Sequence, residues 1–247
     1  MKILNYSDDI KKTSDELSEN VYSDYKNGAK LLEDIGAAVA IFGSARFKNI
    51  NPYYKEAKKI AKLIADEGLH ITSGGSGGIM KAANEGAYKS AKAESLGFNL
   101  LLPFEQKTNN FTTRNVILNT FCIRKDMLIK NAVACVVFPG GFGTLDELFN
   151  TLALTQTGKI LPIKFYLYGS CFWKRLEEFI KTELVDFKTI SYEDTNILHM
   201  TDSLEYIVKD IKNHTKTYLE TMKKAGLENG LRYKLIQKQI ENFTKQE

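Results

Sequence analysis

The chain has 247 residues, 43% of them hydrophobic, with a formal net charge of +4. That is enough apolar material for a sizeable core, and no stretch approaches the roughly 20 uninterrupted apolar residues of a membrane span. Lysines interleaved with acids favour a solvated, mixed-charge surface over a nucleic-acid-binding one. Cys122, Cys135 and Cys171, with the scattered His70, His199 and His214, form no disulfide or zinc pattern. The amino terminus, with Asp8, Asp9, Lys11, Lys12, Asp15 and Glu16, lacks the apolar core of a secretory signal, so the cytoplasm is the expected address.

In chain order, residues 7 to 34 are polar and helix-compatible, with Leu17, Val21, Tyr25 and Leu32 as a sparse apolar face. Ala37 to Phe42 reads as a buried strand, Tyr53 to Glu67 as an amphipathic helix, and Leu69 to Ile71 as a second strand. Ile79 to Ser90 is a small-residue helix; Ser95 to Leu102 and Val116 to Phe121 are further strands; Arg124 to Asn131 is a short helix. Ala132 to Phe138 is apolar enough for a strand buried on both faces. A helix from Leu145 to Thr157, a strand from Ile160 to Leu167 and a helix from Cys171 to Thr182 with the lone Trp173 follow. The lysine-rich tail beyond Ser203 is helical, with Leu231, Leu235, Ile236, Ile240 and Phe243 as a docking stripe. This alternation predicts an α/β, Rossmann-like open parallel sheet with helices on both faces and helical extensions at both ends. The expected division is an extension over 1–35, a nucleotide-binding catalytic domain over 36–200, and an extension over 201–247 packed on it.

Chemistry concentrates where strands end. Phe138-Pro139-Gly140-Gly141-Phe142-Gly143-Thr144-Leu145-Asp146-Glu147 turns an apolar strand into a helix through three glycines and ends in acid. A helix amino terminus there offers free N–H groups and a positive dipole end to a phosphate. Ser73-Gly74-Gly75-Ser76-Gly77-Gly78 repeats the arrangement after the second strand. Either loop alone is equally well a tight strand-to-helix turn; two together point to a shared phosphorylated ligand. Neither fits the G-x-G-x-x-G or P-loop fingerprints, which disfavours a conventional dehydrogenase or P-loop NTPase.

Thr144 and Glu147 have the spacing of a capping box, which alone accounts for both. A carboxylate one turn beyond a phosphate loop also reaches the sugar that the phosphate carries. Arg124-Lys125 and Gly43-Ser44-Ala45-Arg46 add basic groups at the same end of the sheet.

With these residues in view, the chain resembles the LOG family, phosphoribohydrolases long mislabelled lysine decarboxylases. Pro139 to Glu147 fits that family's PGGxGTxxE motif and Arg124-Lys125 its upstream Arg-Lys pair. The loops at Gly43 and at Gly74 to Met80 resemble its other two. The resemblance implies that Arg124 and Glu147 are catalytic. It makes Gly140, Gly141, Gly143 and Thr144 the phosphate cradle, with Gly43, Ser44, Gly74, Gly75, Gly77, Gly78 and Lys125 as further nucleotide-binding positions. It implies hydrolysis of a nucleoside 5′-monophosphate, AMP or a cytokinin riboside 5′-monophosphate, to free base and ribose 5-phosphate. It further implies a homodimer or higher homo-oligomer. No metal or organic cofactor is expected, and no nucleic acid polymer or membrane as partner. No lysine lies in either glycine loop to form a pyridoxal phosphate Schiff base, so a decarboxylase has no support.

Such hydrolysis passes through an oxocarbenium-like sugar. Glu147 would hold the ribose hydroxyls, offset the cationic sugar or orient the water, while Asp146 points roughly 100° away around the helix. An arginine stays protonated, so Arg124 is assigned hydrogen bonding to the leaving base or the phosphate. The alternative is a nucleotide-binding or sensing module of the same fold without catalysis. A phosphoribosyl transferase is less well supported, because its acidic diphosphate motif is missing.

Overall fold

A computed structural model describes residues 11–102 and 107–244. The expectations that fall on Ser7, Asp8 and Asp9 lie outside the described residues. Seven parallel strands form one sheet in the order β4-β3-β2-β1-β5-β6-β7. They are β1 (Ala38–Phe42), β2 (His70–Ser73), β3 (Ser95–Leu100), β4 (Arg114–Leu118), β5 (Ala132–Val137), β6 (Lys164–Tyr168) and β7 (Leu198–Thr201). The order reverses direction at β1, which pairs with β2 on one side and β5 on the other. In such sheets the crevice for a ligand opens at this switch, outside the strands' carboxyl ends.

The helices are α1 (Ser14–Leu31), α2 (Pro52–Asp66), α3 (Gly78–Ser90), α4 (Phe121–Ile129), α5 (Phe142–Gln156), α6 (Ser170–Phe179), α7 (Leu204–Lys224) and α8 (Leu231–Thr244). Side chains that alternate along each strand feed two cores. Val39, Ile41, Val133 and Val136 pack against α2, α3, α7 and α8 through residues such as Ile60, Ile79, Ile207 and Ile236. Ala40, Phe42, Cys135 and Val137 pack on the opposite face against Met127, Leu148 and Trp173 of α4, α5 and α6.

The first and last described helices are tied to this frame. α1 starts with a reciprocal cap in which Thr13 and Glu16 exchange hydrogen bonds, and it lies along α4 and β4. At the other end, Gln239 of α8 accepts from the Ala37 amide at 2.7 Å and donates to the carbonyls of Ala37 and Gly68. Of the expected stripe on α8, Ile236 and Phe243 are buried, whereas Leu231 is exposed.

Three expectations need correction. β7 was not foreseen: its four residues follow a polar 3-10 turn (Glu193–Ile197) and cover only one edge of β6. α4 begins at Phe121 rather than Arg124, so the apolar run from Val116 divides between a strand end and a helix start. α5 begins at Phe142 rather than Leu145, because Gly141 heads the helix.

Candidate active site

The loops after β1, β2 and β5 meet over the switch point. Ser44 joins them through its backbone: its amide donates to the Pro139 carbonyl and its carbonyl accepts from the Ile79 amide, both at 3.0 Å. Between the loops lies a cavity of about 890 Å³. Of the residues expected to bind nucleotide, Gly43, Ser44, Gly74, Gly140, Gly141, Gly143 and Thr144 line it, together with Arg124 and Glu147. Gly75, Gly77, Gly78 and Lys125 are not brought to its wall.

At the head of α5, the helix's first backbone bond runs from the Leu145 amide to the Gly141 carbonyl. The amides of Phe142, Gly143 and Thr144 find no acceptor among the described residues, and Gly141 has no side chain to cap them. A Cβ at Gly141 or Gly143 would touch nothing within 4 Å. Unpartnered amides at an open helix amino terminus are the kind of donors that suit an anion. Gly140 is different: a Cβ there would lie 2.2 Å from Thr144 Oγ1, so the loop folds tightly onto the first turn of α5.

The loop after β2 is closed by comparison. Gly75 and Gly78 have φ of +69° and +61°, and the amide of Ile79 in the first turn of α3 is taken by Ser44. A buried amide network holds the loop from below. The Ser73 hydroxyl donates to Asn84 Oδ1 and accepts from the Gly75 amide, and Asn109 Nδ2 donates to the Ser76 carbonyl and to Asn84 Oδ1.

Glu147 makes no capping box. Thr144 lies inside α5 rather than at its cap, and Glu147 turns inward to meet Arg124, whose Nη1 donates to Glu147 Oε1 at 3.0 Å. The two side chains are only 12% and 14% exposed. Arg124 Nε also donates to the Phe98 carbonyl at 2.9 Å, and its other guanidinium nitrogen lies close over Gly74. A Cβ at Gly74 would sit 2.2 Å from that nitrogen and 2.5 Å from Met80 Sδ, so any larger residue there would push the guanidinium aside. Burial pushes the Glu147 carboxyl above the ordinary carboxylate range, with the Arg124 charge and hydrogen bond pulling it back. Cys135, buried on β5, has its thiol pushed up by burial and by the Glu147 charge. Lys125 and Asp146 form a second, more exposed pair at 3.0 Å that runs beside the first and ties α4 to α5. Lys125 is thus engaged as a strut.

Most of the remaining wall is apolar or aromatic, including Phe47, Met80, Leu100, Leu102, Phe121, Phe142, Leu145 and Phe172, with Ser76 and the exposed Arg46 as polar members. Sequence reading named none of these aromatics as site residues. They come from loops and first helical turns, where no periodicity marks a side chain as facing a cavity. Phe142, at 93% exposed, stands clear of the protein in the middle of the glycine run.

Fold and site together define a Rossmann-like α/β protein with an open helix amino terminus beside a buried Arg124–Glu147 ion pair. The same fold occurs in the molybdenum cofactor carrier protein of Chlamydomonas reinhardtii (TM-score 0.54, 16% identity, covering 73% of this chain and 98% of that one). It also occurs in a molybdenum cofactor binding protein of Rippkaea orientalis (TM-score 0.51, 18% identity, 72% and 96%). The chain belongs to the LOG family: the family model described as "Possible lysine decarboxylase" matches residues 80–211, more than half its length. A rice relative, "Probable cytokinin riboside 5'-monophosphate phosphoribohydrolase LOG4", is 28% identical over 123 residues. That match covers 49% of this chain and 53% of the rice protein, so it spans about half of the relative's length.

Proposed function

We propose that the protein hydrolyses the N-glycosidic bond of a purine nucleoside 5′-monophosphate, AMP or a close relative, releasing the base and ribose 5-phosphate. The observation that carries this reading is the buried Arg124–Glu147 pair on the wall of a cavity that also presents three unpartnered amides at the head of α5. The 5′-phosphate sits on those amides, which places the sugar one turn along the helix, beside Glu147. Family membership and the rice relative support the same chemistry.

As the bond from the base nitrogen to the anomeric carbon breaks, the sugar gains positive charge, and a carboxylate in a site of low dielectric offsets it strongly. Glu147 uses one oxygen to hold Arg124 and keeps the other for the ribose or the incoming water. The water oxygen bonds to the anomeric carbon and its proton passes to the departing base. Arg124 stays protonated and stabilises negative charge on the base or phosphate. The aromatic wall gives a flat base two faces to lie against.

Purified protein incubated with AMP and chromatographed for adenine tests this directly. Release that vanishes in Glu147→Gln supports it; release no greater than in that variant sinks it. The competing reading is a nucleotide carrier without turnover, favoured by the volume of the cavity and by the fold shared with molybdenum cofactor carriers. Calorimetric AMP binding with no adenine formed, and unchanged binding in Glu147→Gln, would select it.

A further inference from the structure

Asp24 lies in the middle of α1, before the segment that the family model matches. It is only 2% exposed, although most of its helix is polar and solvated. Its carboxylate is filled by donors from two consecutive residues. Oδ2 accepts from the Asn119 amide, the Thr120 amide and the Thr120 hydroxyl, each at 2.8 Å, and Oδ1 accepts from Asn119 Nδ2 at 2.9 Å. Thr120 is the residue that heads α4, yet its hydroxyl makes no cap to its own helix because it is turned toward Asp24. The Arg124 amide then donates to the Thr120 carbonyl at 3.1 Å, one turn on.

Two further contacts lock α1 to α4. Gly28, one turn after Asp24, lets the helices touch: a Cβ there would be 2.6 Å from Met127 Cγ. Lys130, just past the end of α4, donates to the Tyr25 hydroxyl at 2.8 Å. A buried carboxylate is a costly way to pack two helices, since an apolar side chain needs no donors. What it adds is direction. Two hydrogen bonds from backbone amides and two from side chains fix residues 119–120 in one orientation, and the negative group meets the positive end of α4.

We propose that Asp24 is a positioning residue for Arg124: it fixes the first turn of α4 and so the angle at which the guanidinium bridges the Phe98 carbonyl and Glu147. The amino-terminal helix is then part of the site's machinery. This inference concerns Arg124's placement and rests on the proposed hydrolysis only where turnover is the readout.

The test compares Asp24→Ala and Asp24→Asn with Thr13→Ala, which frays the far end of the same helix. The Arg124 Nε–H resonance, assigned through Arg124→Lys, reports the bond to Phe98, and kcat and KM for AMP are measured well below each melting temperature. In Asp24→Ala the resonance should broaden or shift and kcat should fall at least tenfold, with KM changing less than kcat. Asp24→Asn keeps an acceptor for the two amides and should restore both, while Thr13→Ala should lower the melting temperature and leave the resonance in place. If the alanine variant does not fold, Asp24→Ser, whose hydroxyl stops short of residues 119–120, takes its place. An unmoved Arg124 resonance in the folded variant, or an equal change in Thr13→Ala, would overturn the proposal. A wild-type protein that releases no adenine removes the hydrolase reading alone, because the resonance still decides the role of Asp24.

Discussion

The loop after β2 and the loop after β5 each carry clustered glycines from a parallel strand into a helix, yet their glycines serve opposite needs. In the first they make room for protein: Gly74 for Arg124, Gly75 for Asn99, and Gly78 for the backbone of Ser44 and Ala45. In the second, Gly141 and Gly143 face open space, and the amides beside them are unclaimed. Glycine count alone therefore does not identify a phosphate cradle. What distinguishes the two is that the start of α3 has given its Ile79 amide to Ser44 and packs its glycines against protein, whereas Phe142, Gly143 and Thr144 keep all three amides and border open space.

This contrast is broken most severely by a methyl group in the closed loop. Gly78→Ala sets a Cβ 2.2 Å from the Ser44 carbonyl oxygen and 2.5 Å from the Ala45 carbonyl carbon at a φ of +61°, and these backbone atoms cannot yield. The expected loss is about 3 kcal/mol or more, read as a fall in the urea midpoint or as failure to fold. Glu147→Gln should leave the fold intact while lowering kcat by about a thousandfold, roughly 4 kcal/mol of transition-state stabilisation. Its circular dichroism should match wild type.

A subtler test uses pH. The raised Glu147 carboxyl must lose its proton to act, so kcat/KM should fall as pH drops through a value above the ordinary carboxylate range. Linkage works in the opposite sense on stability. Between the ordinary value and the raised one the folded state holds the extra proton, so Glu147 makes the fold less stable as pH rises across that window. Glu147→Gln should flatten both effects. The smallest structural change is expected from Gly143→Ala. Its Cβ meets nothing and alanine favours a helix, so stability should stay level or rise by about 0.5–1 kcal/mol. KM for AMP should nevertheless rise about tenfold, because the methyl stands where the phosphate approaches. Equal effects of Gly78→Ala and Gly143→Ala on stability would erase the distinction between the loops.

Much of this was legible in residue order. The apolar runs at Ala38–Phe42 and Ala132–Val137 are buried throughout, as strands flanked by helices on both faces must be. The Arg124 and Glu147 partnership was legible as a motif, but its geometry was not. A capping box accounts equally well for Thr144 and Glu147 until Gly141 is seen to head the helix. Lys125 reads as an anion ligand beside Arg124, but successive residues on a helix diverge by about 100°, and Asp146 is waiting on α5. β7 hid because a four-residue edge strand, with one buried and three half-buried residues, carries little apolar signal. Asp24 hid for the converse reason: an acid in a polar helix looks solvated, and only its long-range donors reveal the burial.

On the proposed reading, the β5–α5 loop holds a phosphate so that Glu147 acts on the attached sugar. Side-by-side turnover of AMP and adenosine, followed by chromatography of the free base, tests both halves at once. AMP should be cleaved at least a hundredfold faster than adenosine, and Glu147→Gln should abolish the difference. Comparable rates for the two substrates, or adenine release that survives in Glu147→Gln, would contradict it.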